Sequence, residues 1–130
     1  MTKDLIITEV EYSHTPKRII RVKIRSAHPL TTRYVEAVIS RRQVVWLLDA
    51  KSVIRTPSTQ HNQPGPEVIH YPVKGAWFIK TEPNDNEEDN LSNLDHKIIL
   101  TNITQNLLDC DLNQLYNFLY HWKLPTLGTR

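Results

Sequence analysis

Six histidines, one cysteine and one run of acids are the residues of this 130-residue chain with the most obvious chemistry. The histidines are His14, His28, His61, His70, His96 and His121, and none of them falls in H-x-H, H-x-x-x-H or H-E-x-x-H, so metal-ligand spacing is absent. His14, close to Lys17 and Arg18, is the one best placed for a metal-independent ribonuclease, in which an imidazole moves a proton while basic neighbours hold phosphate. Any loop histidine in a basic region would look the same, so that activity is kept as an alternative. Cys110 lies between Asp109 and Asp111, a poor setting for a nucleophilic thiol, and reads as a core or boundary residue. A single cysteine makes no internal disulfide and no cysteine zinc site.

The acids Asp85, Glu87, Glu88 and Asp89 offer hard oxygen ligands of the kind calcium or magnesium takes. They are nearly contiguous, however, and lack the alternating positions and the glycine of a calcium loop. Turn chemistry gives a different expectation. Asn84, Asp85 and Asn86 turn the chain through side-chain to backbone bonds. Asp89 or Asn90 then caps one helical turn, with Leu91 and Leu94 anchored in the core. No metal or cofactor is expected.

Charge is unevenly laid out. The net charge is only +2, yet residues 17–42 carry Lys17, Arg18, Arg21, Lys23, Arg25, Arg33, Arg41 and Arg42 against Glu36 alone. Residues 82–95 carry Glu82, Asp85, Glu87, Glu88, Asp89 and Asp95 with no lysine or arginine. Such polarity suits a charged partner or two regions folded against each other. On the first reading the cations track nucleic-acid phosphates, with Tyr34, Trp46 or Trp77 free to stack. On the second, Glu9 and Glu11 pair with them across a hairpin.

These side chains need elements to hold them. DLIITEVEY (4–12) alternates, with Ile6, Thr8, Val10 and Tyr12 on one side and Glu9 and Glu11 on the other. RIIRVKIR (18–25) sets Ile20, Val22 and Ile24 against Arg21, Lys23 and Arg25, so the two form an N-terminal hairpin. RYVEAVIS (33–40) is a third strand. Ser40 and Gln43 make a capping box opening a helix over about 41–50, with Val44, Val45, Leu47 and Leu48 at helical spacing. SVIRT, EVIHYPV, AWFIKTE and HKIILTNIT read as further strands, and Pro72 favours an edge for its own. PSTQHNQPGP is a loop. Asp111 and Gln114 repeat the cap spacing before Leu115, Phe118, Leu119 and Trp122, a helix ended by Pro125 and Gly128. Three glycines are too few for Gly-rich phosphate loops and speak against glycine-dependent tight turns. No apolar run approaches the roughly 18–20 residues that cross a bilayer. The N-terminus turns acidic too soon for a signal peptide, so no membrane association and a cytoplasmic location are expected.

The strand Trp77-Phe78-Ile79 ending in Lys80-Thr81, the turn at Asp85, and Asp89-Asn90-Leu91 with Leu94 resemble a family of small bacterial proteins. That family is a domain of unknown function (family thirty-eight ninety-two). SRRQVVWLLDAKSVIRT and ITEVEYS are similar to its helix-then-extended segment and its opening strand. The resemblance spans roughly residues 5–95 and implies a small mixed α/β domain, to which a helix over about 111–123 is an addition. It implies no activity.

The expectation is therefore a single α+β domain over residues 1–130: a mostly antiparallel sheet of five or six strands, one short helix packed on it, and a C-terminal helix. The functional expectation is a non-catalytic binding or inhibitory protein of bacterial or phage type. It would act by surface and charge complementarity on a nucleic-acid-binding protein or on nucleic acid itself. The basic candidates are Arg18, Arg21, Lys23, Arg25, Arg41 and Arg42, and the acidic candidates are Asp85, Glu87, Glu88 and Asp89. The stripe Leu115, Phe118, Leu119 and Trp122 either completes the core or joins a second copy as a homodimer.

Overall fold

The computed structural model describes residues 5–27, 33–58, 64–91, 94 and 97–122. His28, His61, Asp95, His96, Pro125 and Gly128 lie outside them. The order is β1 (Leu5–His14), β2 (Lys17–Ala27), β3 (Tyr34–Ser40), α1 (Arg41–Asp49), β4 (Ile54–Arg55), β5 (Ile69–Val73), β6 (Ala76–Lys80), β7 (Thr104–Asn106) and α2 (Leu112–Tyr120). Five strands form one sheet in the order β4-β1-β2-β3-β7, and β5 and β6 form a separate two-stranded sheet. The fold is α+β, as the pattern of elements predicts. Within the large sheet β1–β2 and β2–β3 are antiparallel, while β4 runs parallel to β1 and β7 parallel to β3.

The hairpin departs from simple alternation twice. Between Ile7 and Glu9 the strand β1 carries one extra residue, Thr8, and between Arg21 and Ile19 the strand β2 carries Ile20. Each bulge puts two residues opposite one and reverses which face the next side chains take. The buried set is therefore Leu5, Ile7, Val10 and Tyr12 with Ile19, Val22 and Ile24, whereas Ile20 is 49% exposed. This corrects the expected faces at Ile6, Thr8 and Ile20. A second correction concerns HKIILTNIT. Residues 97–100 form no strand, Ile99, Leu100 and Ile103 are exposed, and pairing begins only at Thr104. The contiguous Ile-Ile-Leu has no period-two face to bury.

Both helices open on full capping boxes. Ser40 N–H donates to Gln43 Oε1 at 2.7 Å and Gln43 N–H to Ser40 Oγ at 3.3 Å. Asp111 N–H donates to Gln114 Oε1 and Gln114 N–H to Asp111 Oδ1, both at 2.8 Å. Gln43 does more than cap: its buried amide donates to the Leu107 and Cys110 carbonyls at 2.6 and 2.9 Å, fixing the chain that enters α2. Val44 and Leu47 of α1 and Leu115 and Leu119 of α2 join Val10, Val22, Ile24, Ala37 and Ile39 in one core. Phe118 packs against that core, and Trp122 Nε1–H donates to Ser26 Oγ at 3.3 Å. Of the stripe on α2, Leu115 and Leu119 are thus buried in the domain's own core and Phe118 and Trp122 partly so. No helix among the described residues is long and apolar enough to cross a membrane.

Two turns set the edges of the functional region. The end of α1 is a Schellman motif: Lys51 N–H donates to Leu48 O and Ser52 N–H to Leu47 O, both at 3.0 Å, with Lys51 at φ 69°. Lys74 and Gly75, both at positive φ (53° and 85°), close the β5–β6 hairpin. One of the few glycines does make a tight turn, contrary to the expectation from composition.

Candidate functional site: an acidic loop built on Lys80 and Asp89

The loop after β6 is organised by two charges that the rest of the chain buries. Lys80 ends β6 with no exposed surface. Its ammonium donates to Asn84 O at 2.9 Å, to Asn84 Oδ1 at 2.5 Å and to Asn86 O at 2.5 Å. An ammonium has three donors, and all three are used. The loop wraps Lys80 much as a carbonyl-lined loop wraps a metal ion. Among the described residues no group of three or more His, Cys, Asp or Glu could hold a metal. Asn86 N–H donates to Asn84 Oδ1 at 3.0 Å, the side-chain turn expected at this stretch.

Asp89 closes the neck. Its Oδ2 accepts from Ile19 N–H at 2.8 Å and Arg41 Nε–H at 2.8 Å, and its Oδ1 from Ile79 N–H at 2.9 Å and the Arg41 guanidinium at 3.2 Å. The Asp89 amide in turn donates to Lys17 O at 3.0 Å. One fully buried carboxylate so joins the start of β2, the middle of β6 and the first turn of α1. It also offsets the cost of placing Arg41 at a helix N-terminus, where the dipole disfavours a cation. Beside it Thr81 N–H donates to Asn90 O at 3.1 Å and Asn90 N–H to Ile79 O at 2.9 Å. Leu91 and Leu94 are buried, as expected, and Leu94 N–H donates to Leu91 O at 3.2 Å. Asp89 itself is a buried bridge between elements, and the helical turn that Asp89 or Asn90 was expected to cap lies partly outside the described residues.

This construction leaves Glu82, Asp85 and Glu87 exposed and Glu88 half-exposed. Glu88 accepts from Asn90 Nδ2 at 3.3 Å. Glu87 and Lys74, both exposed, approach at 3.7 Å and set the loop beside the β5–β6 turn. Of the four acidic candidates, Asp85 and Glu87 are exposed and Glu88 partly so. Asp89 is corrected to a structural residue.

The basic candidates meet a different fate. Glu11, Glu9 and Glu36 stand directly opposite Arg21, Lys23 and Arg25 in the strand register. They close ion pairs of 2.5, 2.8 and 3.1 Å. Lys23 and Glu36 keep only 4% and 5% of their surface. Thr104 Oγ1 lies 3.4 Å from Glu36, and residues 101–103 line the same shallow cavity as Lys23 and Glu36. The Arg25 guanidinium sits 3.9 Å over the Tyr34 ring and that of Arg18 4.3 Å over Phe78. Arg41 belongs to Asp89. Arg42 is the one of the six that stands exposed with no ion pair or hydrogen bond among the described residues. The expected basic face is thus largely self-neutralised: Glu36 and Asp89 joined the two glutamates foreseen, and each becomes visible only once the register or the fold is known.

His14 is exposed at the end of β1, opposite Lys17. His70 is half-buried, with Nδ1 at 3.5 Å from Asp49 Oδ1. The stacking candidates also divide: Tyr34 is occupied by Arg25, Trp46 packs against the core, and Trp77 is 52% exposed.

A family model described as "Protein of unknown function (DUF3892)" matches residues 6–95, which takes in β1 through β6 and the whole loop. Neither a curated protein nor a solved structure matches the chain.

Proposed function

The chain belongs to the DUF3892 family, and from that premise we propose that it is a non-catalytic binding module that presents its acidic loop, ready-shaped, to a basic partner. The partner class we infer is a nucleic-acid-binding protein whose cationic channel the loop would occupy, as an inhibitor of bacterial or phage type would. One observation carries the reading: Lys80 spends its three donors inside the loop, so the shape is fixed before any partner arrives. A loop already ordered pays less conformational entropy on binding. Accessible carboxylates at Asp85, Glu87 and Glu88, close together in one loop, supply the charge complementarity that steers association and suppresses wrong partners.

The pairing of Arg21, Lys23 and Arg25 weighs against direct nucleic-acid binding, since a cation already held by a carboxylate releases few counterions from phosphate. The test compares two ligands at about 50 and 200 mM salt, the range over which phosphate contacts weaken steeply. An arginine-rich peptide is expected to bind at the lower salt and to lose binding to Asp85→Lys/Glu87→Lys/Glu88→Lys. Short single- and double-stranded DNA and RNA are expected not to bind. Steeply salt-dependent binding of nucleic acid to the unmutated protein would overturn the assignment.

A further inference from the structure

A cavity of about 780 Å³ lies between the end of α1 and the β5–β6 hairpin. Its lining combines three kinds of surface. Leu48 and Val68 give an apolar floor, Asp49 and Glu67 give carboxylates, and Trp77 gives an aromatic wall. That wall is braced: the His70 ring lies 4.9 Å from the Trp77 ring at 45°, and His70 Nδ1 is itself 3.5 Å from Asp49 Oδ1. Trp77 keeps 52% of its surface in solvent although it is a large aromatic on a short strand. The Asp49 carboxylate is two-thirds exposed and free to take a second donor. Lys51 is the single lysine or arginine of the lining, against two acids.

We propose that this groove receives an arginine side chain of the partner. The inference rests on the proposed function in that it takes the partner to be basic. An arginine is an amphipathic ligand: its methylene stem covers apolar surface while its planar head stays polar. A guanidinium stacks on a tryptophan face and forks onto a carboxylate at the same time, which a lysine ammonium does not. The floor, wall and acids of the groove answer those three needs. The groove is also tied to the acidic loop through one residue. The Arg41 guanidinium donates to the Trp77 carbonyl at 3.0 Å and to Asp89 at the neck of the loop. One side chain thus touches both the backbone of the groove's tryptophan and the neck of the loop.

The experiment is a titration followed by the assigned NMR signals of the Trp77 indole N–H and the His70 ring. The probes are N-acetyl-arginine amide, the uncharged N-acetyl-norleucine amide and free arginine. The blocked arginine is expected to give saturable shifts at both residues, at millimolar concentrations. Asp49→Asn with Glu67→Gln is expected to weaken it at least fivefold, and Trp77→Ala to abolish the shifts at His70. Asp85→Lys/Glu87→Lys/Glu88→Lys should leave the groove's affinity for the blocked amino acid within twofold. That separates the groove from the loop: arginine-rich peptide binding that survives the triple reversal, with the groove shifts intact, fails only the acidic-loop assignment. No saturable shift at Trp77 and His70 would overturn the groove. Equal binding of the norleucine amide would also overturn it, by showing an apolar pocket alone. Tighter binding of free arginine would assign the groove to the free amino acid and overturn the partner side chain.

Discussion

The cations of β2 and the acids after β6 are similar as sequence, two dense runs of one sign, and they are handled by different physics. On the sheet, register decides. Residues opposite each other on antiparallel strands lie within ion-pair reach without any special device, so Arg21, Lys23 and Arg25 each meet a glutamate. Among the described residues no strand faces the acids of the loop. Order there has to come from buried groups, Lys80 inside the loop and Asp89 at its neck, and the remaining carboxylates stay accessible because no register sets a cation opposite each of them. A charge run on a paired strand consumes itself, whereas one on a clamped loop remains available.

The largest break in that comparison lies within the acidic run itself. Asp89→Ala strips four hydrogen bonds and leaves the Arg41 guanidinium without its buried carboxylate. Removing one partner of a buried pair costs about 3–5 kcal/mol, so urea unfolding of this variant should show a loss of that size. Glu87→Ala, two residues away, is expected to fall within about 0.5 kcal/mol of the parent, as exposed substitutions do. Equal effects at the two positions would mean that the run is one surface after all.

Lys80→Met tests the clamp. Three acceptors lose their donor, and each buried unsatisfied group costs about 1–3 kcal/mol. Opening of the loop rehydrates part of this, so a total near 2–4 kcal/mol is expected. The sharper readout is local. Amide exchange at residues 81–88 should accelerate far more than in β1–β3, because the sheet does not depend on Lys80. Uniform acceleration across the sheet would show that the ammonium supports the whole core and that the loop is no separate unit.

Legibility in the sequence was a matter of range. The two capping boxes, Ser40 with Gln43 and Asp111 with Gln114, are three-residue relations and were readable directly. So were the Asn84 turn and the strands of the hairpin. The bulges at Thr8 and Ile20 were not, since one extra residue leaves the composition unchanged and only reverses the faces. Asp89 was hidden by distance: its donors Ile19 and Arg41 lie 70 and 48 residues away, and nothing in D-N-E-E-D-N separates the buried acid from the exposed ones. Lys80 closes an apolar strand, where a lysine ordinarily marks the return to solvent. Its burial depends on a loop whose carbonyls converge only in three dimensions. Glu36 could be paired with Arg25 only by supplying a register for β2 and β3.

The smallest expected effect separates two pairs on the same strand. Lys23–Glu9 is nearly buried, with side-chain exposures of 5% and 20%, while Arg21–Glu11 keeps 35% and 36%. Lys23→Met alone leaves Glu9 short of a partner in a poorly hydrated place and should cost about 2–3 kcal/mol, below the fully buried figure. Lys23→Met combined with Glu9→Gln removes both charges and should recover most of that loss. For Arg21 and Glu11 a double-mutant cycle to alanine is expected to give a coupling of only about 0.2–1 kcal/mol, shrinking further when ionic strength is raised. If the exposed pair coupled as strongly as the buried one and ignored salt, desolvation would not be what distinguishes them. The neutral face of β2 would then be a rigid charge network, and a partner could still find its potential from outside.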